Sequence, residues 1–323
     1  MKNKDVLITG GAGFIGSHLV KRLLLDGAQI SVVVKYKSII DNIRLTSIWK
    51  DIKIVEADLR NIDSIRQMKK NSYDYIFHLA AYNHVGDSFL HYSEAIHSNL
   101  TATMNFIENC PDYDKFLYVA SSEVYGFQEV VPFKESEIPF PISPYAVGKY
   151  SGELYAKMKQ HQTGNKIVGV RPFNTFGPYQ SDRAIIPELI IKCLQGVTIK
   201  TTEGKQTREF NYVENIIDGM IKIITQDFSS WATMNIGSGN DISIRDLVKK
   251  IHFLTKSKSK LKIGALETRP TEIWEMSANT DKARKLIDWT PTIEFEDGLI
   301  RTIEWFKKYM DIYYNDLSPL YKL

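Results

Sequence analysis

The sequence predicts an α/β fold: a doubly wound parallel sheet with helices on both faces. Three observations predict it. First, a glycine-rich stretch from Gly10 to Gly16 stands between a short apolar run and a segment of helical periodicity. Second, six short apolar runs alternate with helix-period segments as far as Val170, the pattern of parallel strands joined by crossover helices. Third, the residues able to do chemistry follow those runs: Gly10 to Gly16, Asp58, Ala80 to Tyr82, Ser121 to Glu123 and Arg171 to Asn174. Sheets of this kind bind ligands outside the carboxyl ends of their strands.

Val6 to Thr9 is the first strand. After it Phe14, Ile15, Leu19, Val20, Leu23 and Leu24 recur at helical spacing, and Gly27 closes the helix. Gly10, Gly13 and Gly16 therefore lie on a strand-to-helix turn, where glycine permits a tight bend and close approach of a pyrophosphate. That context makes the turn a dinucleotide site, with Phe14 and Ile15 beside it. Ile30 to Val34 is the second strand. An acid at its end accepts from the ribose hydroxyls in NAD binders, but here the chain reads Lys35-Tyr36-Lys37-Ser38. Lys35, Lys37 and Ser38 suit a 2′-phosphate, so the expected cofactor is NADP, with NAD as the alternative.

Ile52 to Val55 is the third strand. It leads to Asp58 and Leu59, where Asp58 either meets the adenine or caps a helix beginning near Asn61. The fourth strand, Tyr75 to Ala80, contains His78, read as structural; Leu79, Ala80, Ala81 and Tyr82 border the cofactor. A helix over about 95–108 holds Asn99. The fifth strand, Phe116 to Ala120, delivers Ser121, Ser122 and Glu123, and the sixth, Lys166 to Val170, runs into Arg171 and Asn174. Between them Tyr145 and Lys149 stand four apart on a helix and share a face. An ammonium beside a phenol favours phenolate, which takes a proton from a hydroxyl, as oxidation of an alcohol by hydride transfer requires.

Past Arg171 the pattern changes. Ile185 to Leu194 and Asn215 to Ile224 read as helices, Val197 to Thr201 and Phe210 to Val213 as short strands, and Thr233 to Ile236 as a return to the large sheet. The expected division is a dinucleotide domain over 1–170 plus about 213–236, with a smaller discontinuous α/β substrate domain over 171–212 and 237–323.

Composition is that of an ordinary globular chain: 323 residues, 43% hydrophobic and 24% charged, with 41 Lys and Arg against 38 Asp and Glu. A net charge of +3 gives no reason to expect a nucleic-acid partner. Cys110 and Cys193 lack metal-ligand spacing and read as reduced thiols. The absence of a long apolar run or leader pattern predicts a cytoplasmic protein without a membrane partner.

The motifs TGGAGFIGSHL, HLAA, SSEVYG, YAVGK, RPFN and the late Arg269-Pro270 pair together resemble the extended short-chain dehydrogenase/reductases that act on nucleotide sugars. The resemblance spans nearly the whole chain and implies a Rossmann domain with a small substrate domain, and a homodimer or higher homo-oligomer. Ser-Ser-Glu before Val-Tyr-Gly resembles the Thr-x-Glu of 4,6-dehydratases. The stretches around Lys35 and from Arg171 to Pro187 are similar to GDP- or UDP-N-acetylglucosamine 4,6-dehydratases of legionaminic acid-type pathways.

That resemblance implies a mechanism. Tyr145, with Lys149 and Ser121, takes the C4 hydroxyl proton as hydride leaves C4; Glu123 removes the C5 proton; the C6 hydroxyl departs as water; hydride returns to C6. Ser122 stands where some dehydratases carry an Asp that protonates the leaving group, so Glu123 is expected to make both transfers. Tyr82, Asn174, Arg208 and Arg269 are implied substrate contacts. GDP-N-acetylglucosamine is the first expected substrate, then UDP-N-acetylglucosamine or GDP-mannose. The competing readings are a C4 epimerase or oxidoreductase, a UDP-glucuronate decarboxylase, and an NADP-sensing regulatory protein.

Overall fold

The computed structural model describes residues 1–35, 44–268 and 272–310. In chain order its strands are β1 (Asp5–Thr9), β2 (Gln29–Val34), β3 (Lys53–Glu56), β4 (Ser72–His78), β5 (Asp112–Val119), β6 (Ile167–Pro172), β7 (Thr175–Phe176), β8 (Ile199–Lys200), β9 (Thr207–Glu209), β10 (Asn211–Tyr212), β11 (Thr233–Ile236), β12 (Asp241–Ser243) and β13 (Leu261–Lys262). The α-helices are α1 (Phe14–Leu25), α2 (Ile62–Arg66), α3 (Tyr92–Ile96), α4 (Ala102–Asn109), α5 (Pro144–Thr163), α6 (Ile185–Gln195), α7 (Val213–Thr225), α8 (Ile244–Leu254), α9 (Asp281–Ile287) and α10 (Phe295–Met310).

Seven parallel strands form the large sheet in the order β11-β6-β5-β4-β1-β2-β3. The fold is therefore the expected Rossmann type, and Thr233 to Ile236 does return to the sheet, as its seventh strand beside β6. The chain leaves β1 for β2 on one side and reaches β4 on the other, so the winding direction reverses between β1 and β4. That crevice is where such sheets receive ligands. Successive residues of β1 point to opposite faces. Val6 and Ile8 pack with Leu19 and Leu23 of α1 and Ile216 and Met220 of α7. Leu7 packs with Phe106 of α4 and Ala156 of α5.

Local chemistry fixes the helices that carry the site. Gly27, at φ +81°, ends α1, and the Gly27 and Ala28 N–H groups close on the carbonyls of Leu24 and Leu23. The α5 helix starts where Ser143 Oγ accepts from the Ala146 N–H at 3.1 Å, with Pro144 in the first turn, and stops at Gly164 at φ +70°.

Four expectations about elements are corrected. The helix read over about 95–108 is interrupted by a π-helical turn, His97–Thr101, that carries Asn99. The strand read over Phe210 to Val213 shortens to β10, with the separate β9 just before it, and Val213 already belongs to α7. Asp58 does not cap the helix near Asn61; Asn61 does, accepting from the Asp63 N–H at 2.9 Å, because Asp58 is held by Arg60. The strand read over Val197 to Thr201 shortens to β8, paired with β13.

Glu209 ties the smaller sheets together. Its buried carboxylate accepts from the N–H groups of Ala278 (2.7 Å), Gly239 (3.1 Å) and Ser238 (3.2 Å) and from the Asn211 amide (2.8 Å). Glu209→Gln turns an amide NH2 onto these donors. It should cost about 3 kcal/mol, read as a lower urea midpoint at unchanged slope.

Candidate active site

The glycine turn fits a dinucleotide pyrophosphate. Gly10 has φ +69°, and a Cβ there would lie 2.7 Å from the Ala80 nitrogen, so the loops after β1 and β4 touch. A Cβ on Gly16 would lie 2.2 Å from the Gly10 carbonyl oxygen; this glycine lets α1 meet the turn. A Cβ on Gly13 would meet only that carbonyl, at 3.2 Å, so its side of the turn is open. No side chain caps α1 and no acid occupies its first turn, which leaves its N–H groups available to an anion. Phe14 and Ile15 are half-buried there, as are Leu79, Ala80, Ala81 and Tyr82 beyond β4.

His78 is structural. Thr103 Oγ1 donates to the Asn99 carbonyl, so His78 Nε2 donates to Thr103 Oγ1 (3.1 Å), and Nδ1 accepts from Thr9 Oγ1 (2.8 Å). Burial pushes its pKa down to about 3, with the Lys149 charge adding, and the ring stacks on Phe106 at 5.1 Å.

The end of β5 and one face of α5 meet. Ser121 caps the short turn Ser122–Val124, accepting from the Glu123 N–H at 3.2 Å, and its hydroxyl lies close enough to the Tyr145 phenol to favour the phenolate. Ser122 is buried at 3% exposure. Lys149 is buried too. Its ammonium donates to the Val119 carbonyl and lies 5.1 Å from the centre of the Tyr118 ring.

The expected lowering of the phenol's pKa by Lys149 is not what the chain shows. Burial pushes Tyr145 up to about 12, the Ser121 hydroxyl opposes this, and the Glu123 charge adds to it. Burial also pushes Lys149 down to about 7, with Glu153 opposing. The ammonium answers to a backbone carbonyl rather than to the phenol, and sequence spacing carries no sign of that.

Glu123 is half-buried, and among the described residues its carboxylate has no hydrogen bond or ion pair. Burial raises its pKa, Arg208 opposes and Glu272 adds. Arg208, on β9, donates to Glu272 at 2.8 Å and to the Thr207 carbonyl at 2.7 Å. Asn174 follows β6 and is half-buried; its carbonyl accepts from the Asn211 N–H at 2.7 Å. The structure thus brings Ser121, Ser122, Glu123, Tyr145 and Lys149 together, and Arg208 within electrostatic reach of Glu123. Lys37, Ser38 and Arg269 lie outside the described residues.

Lys35 and Asp58 enter a charged cluster. Arg60 grips Asp58 through Nε (3.0 Å) and Nη2 (2.6 Å), and its Nη1 lies 2.8 Å from both Glu94 oxygens. The Lys35 ammonium lies 3.9 Å from Glu94. Glu94 and Arg60 carry no sequence signal that marks them.

Sequence reasoning placed Asn99 only on a helix. Its side-chain oxygen accepts from the Tyr82 N–H (2.7 Å), and its amide donates to the Tyr82 carbonyl (3.1 Å) and towards that of Tyr145 (3.5 Å). A Cβ on Gly148 would lie 2.9 Å from the Asn99 Cβ, which is why glycine precedes Lys149. Glu153 and Arg171 were also missed as a pair. Arg171 donates to Glu153 through Nε (3.0 Å) and Nη2 (2.8 Å), and Thr233 Oγ1 donates to Glu153 at 3.0 Å. The i, i+4, i+8 spacing of Tyr145, Lys149 and Glu153 was the signal available. Among the described residues no cluster of His, Cys, Asp and Glu is placed to hold a metal, and no helix is long and apolar enough to cross a membrane.

A family model described as GDP-mannose 4,6 dehydratase matches residues 7–302. The chain is 31% identical to UDP-glucuronic acid decarboxylase 1 of Xenopus tropicalis, over 95% of this chain and 73% of that protein. It is 27% identical to the dTDP-D-glucose 4,6-dehydratase of Bos taurus, over 94% of this chain and 89% of that one. Its fold is similar to the UDP-glucuronic acid 4-epimerase from Bacillus cereus, solved in complex with UDP-glucuronic acid and NAD. The TM-score is 0.86 at 26% identity, covering 94% of this chain and 99% of that structure.

Proposed function

Because the chain belongs to the GDP-mannose 4,6 dehydratase family, we propose that it is a nucleotide-sugar 4,6-dehydratase. It converts a nucleoside-diphosphate hexose to the 4-keto-6-deoxy sugar, with GDP-N-acetylglucosamine as first candidate and UDP-N-acetylglucosamine or GDP-mannose next. The observation that carries this reading is Glu123: a carboxylate of raised pKa, without a hydrogen bond or ion pair among the described residues, whose charge is felt by the Tyr145 phenol. Epimerisation at C4 has no use for such a group.

The glycine turn and the first turn of α1 would hold the pyrophosphate of a nicotinamide dinucleotide, whose chemistry there would be to accept hydride from C4 and supply it to C6. Tyr145 Oη accepts the C4 hydroxyl proton, and the Ser121 hydroxyl orients the phenol. Lys149 places a cation behind it. The resulting 4-keto group acidifies the C5 hydrogen. Glu123 takes that proton and delivers it to the C6 oxygen, so the C6–O bond breaks as the C5–C6 double bond forms and water leaves. Glu123, its proton lost with the water, takes a proton from solvent and gives it to C5 as C6 is reduced, while Tyr145 releases the C4 hydroxyl proton to solvent, so the protons balance. Arg208, Asn174 and Arg269 bind the diphosphate and Tyr82 borders the sugar; Ser122 supports the turn. The 1–170 plus 213–236 division, a homo-oligomeric state, a cytoplasmic location and a role in glycan biosynthesis belong to the same reading.

Mass spectrometry of the chain with each of the three sugar nucleotides, without added reductant, tests it. One water lost from one of them is the expected result. Unchanged mass with an inverted C4 would mark an epimerase. A UDP-glucuronate control that loses carbon dioxide would mark a decarboxylase.

A further inference from the structure

We propose that Arg171 is a positioning residue: its buried guanidinium engages both the helix that carries Tyr145 and Lys149 and the turn that carries Glu123, and so fixes the base relative to the phenol. The inference deepens the proposed function and rests on it.

Arg171 lies on β6, with Asn235 of β11 as its register partner and β5, which ends just before Ser121, on the other side. Its Nε and Nη2 donate to Glu153 of α5 at 3.0 and 2.8 Å, and Thr233 Oγ1 of β11 donates to the same carboxylate at 3.0 Å. Glu153 stands one turn past Lys149 and two past Tyr145. A hold on Glu153 is therefore a hold on the face that bears both. The Arg171 guanidinium carbon also lies 4.8 Å from the centre of the Tyr125 ring. Tyr125 closes the Ser122–Val124 turn, its N–H donating to the Ser122 carbonyl at 3.1 Å, and its hydroxyl donates to Asn235 Oδ1 at 2.7 Å. Glu123 thus sits two residues from a tyrosine that is held at both ring and hydroxyl.

Stability alone does not call for this arrangement. Arg171, Glu153, Tyr125 and Asn235 are all buried, and a buried ion pair generally stabilises a fold no better than apolar side chains of the same volume. Arg171 Nη1, moreover, has no hydrogen bond among the described residues. What the pair supplies is direction: two hydrogen bonds to one carboxylate and a ring contact fix the guanidinium plane. Glu123 has no hydrogen bond or ion pair of its own among the described residues, so its place depends on the turn. A misplacement of about 1 Å at a reacting centre costs up to about a hundredfold in rate.

Two variants test this. Tyr125→Phe keeps the ring on Arg171 and removes only the hydroxyl that anchors it. Arg171→Lys keeps a charge for Glu153 but loses the fork and the flat contact with the ring. Single turnovers of the full chain, supplied with an oxidised nicotinamide dinucleotide, are quenched at intervals and the sugar nucleotide is weighed by mass spectrometry. The C4-oxidised sugar is two hydrogens lighter than the substrate, and the dehydrated product is one water lighter. Tyr125→Phe should slow conversion of the oxidised sugar to product by about tenfold with C4 oxidation little changed, so the oxidised sugar accumulates. Arg171→Lys should slow that conversion at least as much, and combining the two should add little, since both loosen one turn. A merely structural role would lower the amount of active protein, and with it both steps alike. If Arg171→Lys does not fold, Tyr125→Phe decides alone. An unmoved ratio of the two rates in Tyr125→Phe overturns the inference and leaves the proposed function standing. A natural chain that dehydrates none of the three sugar nucleotides overturns both.

Discussion

Tyr145→Phe should lower kcat about a thousandfold and leave substrate binding nearly unchanged. The ring stays in its buried place, so packing is conserved, and only the phenol oxygen is lost. In the proposed mechanism that oxygen takes the C4 hydroxyl proton, and a positioned acid or base contributes roughly 10²–10⁴ to a rate. The prediction is sharpened by the electrostatics of the chain alone, in which burial holds the phenol near 12. The phenol must be activated during turnover, and the Ser121 hydroxyl and Lys149 ammonium are the groups on hand. A drop in kcat and kcat/KM together, at unchanged dinucleotide affinity, identifies an interaction made in the transition state. A loss confined to KM would make Tyr145 a binding residue only.

Glu123→Gln should separate the steps. Oxidation at C4 needs Tyr145 and survives; removal of the C5 proton does not, so formation of the dehydrated sugar should fall by at least about a hundredfold. Reduced dinucleotide then accumulates on the protein, seen as its absorbance. The pKa of Glu123 is raised by burial, so the carboxylate form is lost at a higher pH than for an ordinary glutamate. The natural chain's kcat should therefore fall on the acid side above the usual glutamate range. The sign for stability follows. At neutral pH the unfolded chain has already released this proton and the folded chain releases it at a cost. Glu123→Gln should thus be more stable than the natural chain near pH 7, and this advantage should vanish below the unfolded pKa, near 4.5. Equal stability at both pH values would show that the carboxylate is not strained by burial.

What the sequence revealed and what it hid follow from range. Gly10, Gly13 and Gly16 and the alternation of apolar runs are local patterns, and the sheet, α1 and α5 follow from them closely. Ser121, Glu123, Tyr145 and Lys149 are adjacent because strand ends and one helix face converge, which topology alone predicts. The ion pairs were hidden. Arg60 with Glu94, Arg171 with Glu153 and Arg208 with Glu272 each join residues far apart in sequence, and charged residues give no periodic signal of their partners. The same blindness produced the wrong expectation for the phenol, since Lys149 lies one turn from Tyr145 and yet hydrogen-bonds to the Val119 carbonyl. The π-helical turn at Asn99 was equally invisible; it lies against Gly148 and Gly152, whose missing side chains leave room for Asn99.

The central claim is that water is eliminated across C5 and C6 under the control of Glu123. The most direct measurement follows the C4 hydrogen, using sugar nucleotides deuterated at C4. The expected product is one water lighter, with the deuterium moved to C6. Deuterium still at C4 in a product of unchanged mass would contradict it and make the chain an epimerase.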